Sequence, residues 1–327
     1  MTKVKLTVEK AKQICSDFDL GSGGCRHVID TEFCSLSNHF LCDLLRWKQN
    51  KLRYAAFKFT ALSASRLSRL ESCARSYAFN YDHHLSVDSD PAWARMGDAF
   101  GVARARIDVG MPVDPNGYRK DLLPAELAKV RAAIHLYQDA INGRAAGVNF
   151  PYKAGEVTCE LEASFQRLGQ EFIGYADAVR HNRSAIFEWK FAAISYPMLA
   201  IARQAAVYFA GVPEATEFTL CVMKKLAHRP GKTEKIEDFE SRITEYIMAE
   251  PCSYLSFTTI PRNTIDVEGV LKDMVASFNR LTSLRDLGMP PSYSSCGDCS
   301  YSPVCEKYVG KSTDDIVRAE KEQSSRG

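Results

Sequence analysis

Apolar residues recur at helical spacing through the first half of the chain, give way to short β-favouring runs in the middle, and return to helical spacing after Tyr196. The pattern predicts helices over Val4 to Phe18 and Leu36 to Trp47, parted by the turn-prone GSGG at 21 to 24. A third helical stretch opens at Ser63, with Ser65 as its expected N-cap, Leu67, Leu70, Tyr77 and Tyr81 on its spacing, and Cys73 inside it. Trp93 to Val109 and Leu123 to Asn142 read as two more helices. Val157 to Phe165, Phe172 to Val179 and Ser184 to Trp189 then read as adjacent strands, the first two joined by a hairpin at Leu168-Gly169-Gln170. Beyond them come a helix over Tyr196 to Gly211, a strand over Thr216 to Met223, a polar and basic connection from Lys224 to Lys235, and helices over Glu240 to Ala249 and Val267 to Leu284. From about Asp315 the chain is charged and serine-rich enough to fray.

The 327 residues, 46% of them hydrophobic and 25% charged, describe an ordinary folded protein with length for one large core. No run approaches a bilayer-spanning length, and the start MTKVKLTVEKAK sets charges where a secretory signal needs continuous apolar residues. A cytoplasmic protein with no membrane partner is expected. A net charge of only +2 leaves any nucleic-acid binding to local patches. Eleven cysteines without a secretory signal suggest metal ligands or reduced thiols rather than a disulfide scaffold.

The chemistry concentrates in GYADAVRHNRSAIFEWKFA, residues 174 to 192. Asp177 stands alone in an apolar strand, and the next strand carries Glu188-Trp189-Lys190, whose alternation sets Glu188 and Lys190 on one face. Glu-x-Lys by itself is common and reads equally as a solvated pair. Carboxylates on apolar strands, however, need a partner, a cation or solvent. Hard oxygen ligands of this kind suit Mg2+ or Mn2+, with a nearby lysine able to orient water or meet developing negative charge during phosphodiester cleavage. Gln204 and Tyr208 follow on one face of the next helix.

The order Asp, Glu-x-Lys, Gln-x3-Tyr resembles the RecB-like branch of the PD-(D/E)XK nucleases, near the CRISPR-associated exonucleases, over about residues 63 to 308. That resemblance implies an α/β fold with a mixed central sheet flanked by helices; outside it the residue pattern leaves a helical N-terminal region (1–62) and a flexible tail (309–327). It implies a single-strand DNA exonuclease acting in repair, recombination or replication, with a helicase or recombination protein as a partner. The implied catalytic set is Asp177, Glu188, Lys190, Gln204 and Tyr208. Asp177 and Glu188 would hold the metal together with Glu160 or Glu162, which CELEASF offers on one strand face, and with the Trp189 carbonyl as a further ligand. Relatives often carry a metal-binding histidine after a G-x-x-x pattern; here Gly97-Asp98-Ala99-Phe100 is followed by Gly101.

Near the C-terminus, Cys296-x2-Cys299-x5-Cys305 lies among turn residues, the flexible close spacing that thiolates need to wrap one metal centre. Spacing alone admits zinc or an iron-sulfur cluster. The resemblance supplies a fourth ligand at Cys73 and implies a 4Fe-4S cluster that clasps the helix before the nuclease core to the C-terminal end. Cys15, Cys25, Cys34, Cys42, Cys159, Cys221 and Cys252 read as core or incidental residues.

Three basic groups are candidates for nucleic-acid contact: Arg46 to Lys58 interleaved with Trp47, Tyr54 and Phe57; Arg66, Arg69 and Arg75; and Lys224, Lys225, Arg229 and Lys232. Adjacent His83 and His84 read as surface or turn residues. The chain has no G-x4-G-K-S/T loop, so it encodes no ATP-driven motor of that type. A DNA-binding or assembly module that keeps the fold without turnover is the second reading.

Overall fold

The computed structural model describes residues 61–83, 92–113, 122–192, 198–283, 301–307 and 313–324, with Ser292, Cys296 and Cys299. The two helices expected before residue 60, the basic stretch from Arg46 to Lys58, and His84 lie outside the described residues.

Five strands form the sheet: β1 (Val157–Arg167), β2 (Gln170–Arg180), β3 (Ala185–Ala192), β4 (Glu217–Lys224) and β5 (Leu255–Pro261), in that spatial order. β1 and β2 meet in a two-residue loop whose residues, Leu168 and Gly169, both have positive φ (54° and 72°), the turn that suits the twist of a hairpin. β2 and β3 are antiparallel, β3 and β4 parallel, and β4 and β5 antiparallel. A parallel step needs a crossover. Here it contains the helix Met198–Gly211, so the sheet is mixed.

Before the sheet come α1 (Ala64–Ser72), α2 (Ala74–Tyr77) with a π-turn over Ala78–Asp82, α3 (Ala92–Asp108) and α4 (Pro124–Ile141). The crossover helix Met198–Gly211 is α5, and α6 (Ile236–Ala249) and α7 (Val267–Thr282) flank β5 in the chain. α3, α4 and α6 cover one face of the sheet, burying Phe100, Val130, Leu136, Phe239 and Ile243 against Phe187, Trp189 and Cys221. α5 and α7 cover the other, with Ile201, Ala205, Phe209, Leu271 and Met274 against Phe172, Ile186 and Phe218. Covered on both faces, β3 is buried from Ala185 through Trp189, as a central strand requires. Among the described residues no helix is long and apolar enough to cross a membrane.

Several expectations change. Ser63, not Ser65, caps α1, its hydroxyl accepting from the Arg66 N–H at 3.1 Å. Cys73 does not lie within a helix: its backbone is extended, and it breaks α1 from α2. β5 adds a strand that the apolar pattern does not announce, because only Leu255 and Ile260 are buried, Phe257 is partly so, and its threonines blur the alternation. The stretch expected to fray from Asp315 belongs to a helix, Thr313–Ser324, which follows the short α8 (Ser302–Lys307) and is here α9. Ile316 and Val317 of α9 are buried with Phe79, Tyr301 and Val304, so two apolar residues outweigh a polar composition.

Gly211 ends α5 directly against β1: a Cβ there would lie 2.5 Å from the Ala163 Cβ and 2.9 Å from its Cα. Gly211→Ala is therefore expected to force α5 off the strand and cost about 1–3 kcal/mol. Gly97→Ala, inside α3 with nothing within 4 Å of the new methyl, is expected to be neutral or stabilising. Urea unfolding of the two variants beside the parent checks both signs.

Candidate active site

Alternation along β1 breaks at Glu160. Val157 and Cys159 face the α3 layer, whereas Leu161, Ala163 and Phe165 face the α5 layer. The break coincides with a left-handed backbone at Glu160 (φ 54°), a conformation uncommon and strained for a residue with a side chain. β2 changes over at the same level, with Ala176 on the α5 side and Ala178 on the α3 side. The register places Glu160 opposite Asp177, between the Cys159–Ala178 and Leu161–Ala176 pairs.

This change of pleat separates the two glutamates that simple alternation puts together. Glu160 Oε1 comes to 3.9 Å from the Arg104 guanidinium, which also lies 3.7 Å from Asp177 Oδ1. Glu162 instead accepts from the Ser164 hydroxyl at 2.9 Å in an exposed position. The structure brings Glu160 to the site and leaves Glu162 out of it.

Glu188 is buried on the α5 face of β3, and its carboxylate is surrounded by donors. Lys190 Nζ donates to Oε1, as does Gln204 Nε2 at 2.6 Å. The Tyr208 hydroxyl accepts from Gln204 at 3.1 Å and lies 2.7 Å from the Tyr175 carbonyl and 3.0 Å from Glu188 Oε2, so its single proton serves one acceptor at a time. Gly174 makes room for this ring: a Cβ there would fall 2.7 Å from Tyr208 Cε1. Asp177 is fixed by the Trp189 backbone N–H, which donates to Oδ2 at 2.7 Å. Trp189 therefore enters the site through its main chain, while its ring packs in the α3 layer.

Asp177, Glu188, Lys190, Gln204 and Tyr208 thus converge as the motif order suggested. Burial, and then the neighbouring charge of Asp177, push the Glu188 carboxyl up to about 7 against the opposing pull of Lys190. Burial likewise raises the Tyr208 hydroxyl well above its ordinary value, with Glu188 adding to the effect.

Sequence reasoning missed the floor of the site. Arg104 is fully buried, 2.5 Å from Asp108 one helical turn on, and it donates to the Asp177 carbonyl at 3.3 Å. Asp108 also accepts from Tyr137 and, at 3.2 Å, from Tyr152, whose hydroxyl accepts from the Trp189 indole at 2.9 Å. A signal was present, since Phe100, Ala103, Arg104, Ile107 and Asp108 fall on one helical stripe and two of those positions are charged. Asp98 is exposed. Gly101, where the resemblance expected a histidine, has open space around it: a Cβ there would meet nothing within 4 Å.

The cysteines occupy a second locus. The Cys73 thiol accepts from the Ser76 and Ser292 backbone N–H groups, each at 3.4 Å, which draws the C-terminal segment onto the α1–α2 break. Cys299 turns back on Cys296 through a 3.2 Å backbone bond, and Cys299 and Cys305 pack beside Phe79 and Tyr301. Burial pushes the Cys305 thiol up; Arg75 opposes that, and Cys299 and Cys73 add to it. None of the four thiols is in a disulfide. Arg66 and Arg75, candidates for phosphate contact, are buried: Arg66 donates to the Ala61 carbonyl at 2.7 Å, and Arg75 faces Cys305.

In donor type the carboxylates suit a hard divalent cation and the thiols suit iron or zinc. Among the described residues, however, no three His, Cys, Asp or Glu side chains surround a common point closely enough to hold a metal ion. The carboxylates are turned toward Arg104, Lys190 and Gln204 instead.

No protein-family model and no curated protein matches the chain. A crystal structure from Eubacterium rectale described as "Putative exonuclease" is similar over 80% of this chain and 98% of its own, at 11% identity and a TM-score of 0.47.

The raised Glu188 carboxyl carries a stability signature. Its folded-state pKa lies above the unfolded one, so the folded state binds the extra proton and stability falls as pH rises through the window between the two. In metal-free protein, Glu188→Gln is expected to match the parent near pH 4 and exceed it above about pH 8, by about 3 kcal/mol at most. Thermal unfolding in chelator across this range checks it; a gap that widens toward acid would refute the assignment.

Proposed function

We propose that this chain is a Mg2+- or Mn2+-dependent DNA nuclease of the PD-(D/E)XK type that hydrolyses phosphodiester bonds in single-stranded DNA or at free ends. The observation that carries the reading is the meeting of Asp177, Glu188 and Lys190 across β2 and β3 with Gln204 and Tyr208 of α5 laid over them. Asp177, Glu188, Glu160 and the Trp189 carbonyl are the groups that would hold the metal. When bound, a divalent ion supplies Lewis acidity toward a phosphoryl oxygen and a source of activated water.

The chain's own residues divide the remaining work. Lys190, partly open to solvent and held against Glu188, orients a water and meets charge developing on the phosphate. Gln204 and Tyr208 hold the Glu188 carboxylate in one rotamer through both of its oxygens. Arg104 fixes the Asp177 main chain from below and lies near its carboxylate. Repair, recombination or replication is the setting this activity fits, with a helicase or recombination protein as its functional neighbour. At the second locus, Cys73, Cys296, Cys299 and Cys305 would hold a 4Fe-4S cluster that fastens α1 and α2 to the C-terminal segment.

Labelled single-stranded DNA with Mn2+ tests the first claim. Glu188→Ala and Lys190→Ala, at matched folding, are expected to slow digestion at least ~10²-fold. A parent protein no faster than these variants would instead identify a DNA-binding or assembly module, a reading that the turn of Asp177 and Glu160 toward Arg104 favours.

Metal analysis tests the second claim. Protein purified without oxygen is expected to be brown, with iron and acid-labile sulfide in roughly equal amounts that Cys305→Ser removes. A colourless protein with about one zinc and no sulfide would make the clasp a four-cysteine zinc site.

A further inference from the structure

Where β3 and β4 run out, the surface gathers aromatic rings and lysines that the proposed active site does not use. Trp93, on the first turn of α3, is 52% exposed, large for a residue that ordinarily packs away. The Lys225 ammonium lies 5.1 Å from the centre of its ring. Lys224 stands 5.6 Å from the Tyr254 ring, and Tyr254 meets Tyr246, itself 54% exposed, at 6.1 Å between centroids. Neither lysine is ion-paired with a carboxylate among the described residues. Glu126, which reaches the Trp93 end of α3, is held by Arg95.

The ledge is tied to the site by backbone. The Lys225 N–H donates to the Ala192 carbonyl at 2.8 Å, at the end of the strand that carries Glu188 and Lys190. α3 supplies the other tie, because Trp93 and Arg104 lie on one helix, ~16 Å apart along its axis. Open aromatic faces beside unneutralised lysines suit a ligand that alternates flat bases with phosphates. A duplex hides its base faces and offers phosphates alone.

We propose that Trp93 and Lys225, with Lys224, Tyr254 and Tyr246 behind them, form a subsite for single-stranded nucleic acid that holds the strand a few nucleotides from the scissile bond. The proposal rests on the nuclease reading for its direction toward the site, but binding at the ledge needs no cleavage.

The test uses the full chain in chelator and a fluorescein-labelled oligothymidylate of about eight nucleotides. Trp93→Ala is expected to weaken binding ~10-fold, Trp93→Phe to restore most of it, and Lys225→Ala to lower the salt dependence. With Mn2+ present, Trp93→Ala is expected to raise KM for the eight-nucleotide strand and leave a dinucleotide, too short to reach the ledge, unaffected. Unchanged binding in both alanine variants overturns the ledge, as does a blunt duplex that competes equally and loses as much on Trp93→Ala. If the parent cleaves nothing yet binding still depends on Trp93, the nuclease reading fails and the ledge stands.

Discussion

The ion pair between Arg104 and Asp108 is the constraint on which the site rests. Burying either charge alone would cost several kcal/mol, and the Asp177 carbonyl, Tyr137 and Tyr152 offset part of that cost with hydrogen bonds to the pair, although Arg104 Nε stays without a partner. Burial raises the Asp108 carboxyl, and Arg104, Tyr137 and Tyr152 pull it back. Burial likewise opposes the Arg104 charge, yet Asp108, and after it Asp177, hold the guanidinium well above its ordinary value. The partners come from α3, α4, the segment before β1, and β2. A single buried pair therefore locks the helical layer to the strands that carry Glu160 and Asp177, and Tyr152 extends the lock to Trp189 in β3.

Above that floor, local backbone decisions set the side chains. The left-handed turn of the chain at Glu160 lets one strand serve both layers of the fold and leaves its carboxylate at the crossover, opposite Asp177. The missing side chain at Gly174 lets the Tyr208 ring rest on β2, and that contact aims its hydroxyl at Glu188. α5 is held in turn by Arg203, whose guanidinium takes both oxygens of Glu71 on α1 at 2.6 and 2.9 Å. α1 leads directly to Cys73. The cysteine locus and the helix bearing Gln204 and Tyr208 thus share one support, so a clasp at Cys73 would stiffen the roof of the site as well as the chain end.

The legible parts were those written in one strand or one helix face. Glu188 and Lys190 share a face by alternation, Gln204 and Tyr208 by helical spacing, and the β1–β2 hairpin announces itself through Gly169. Glu160 and Glu162 were inseparable because a single left-handed residue reverses alternation, and nothing in the letters CELEASF marks a glutamate as that residue. β5 and α9 escaped because each is fixed by a few buried contacts in an otherwise polar run. Arg66 and Arg75 look basic and solvent-seeking in sequence, but tertiary partners take them inward: the Ala61 carbonyl and Tyr77 for the first, Cys305 for the second. Their burial leaves Arg69 as the partly exposed arginine of that group.

Charge balance connects the floor to the proposed chemistry. Asp108, Asp177, Glu160 and Glu188 place up to four negative charges around Arg104 and Lys190, an excess of about two, and the raised Glu188 carboxyl is where burial and Asp177 make that excess felt. Deprotonated and filled by a divalent cation, the same pocket would come close to neutral and would no longer repel the single charge of a phosphodiester. Without Arg104 the filled pocket would stay negative by about one charge and would repel the substrate. With a histidine at Gly101 it would gain a ligand but no fixed charge. On this reading the buried arginine does more than offset the burial of Asp108: it cancels the charge that would otherwise turn the phosphate away.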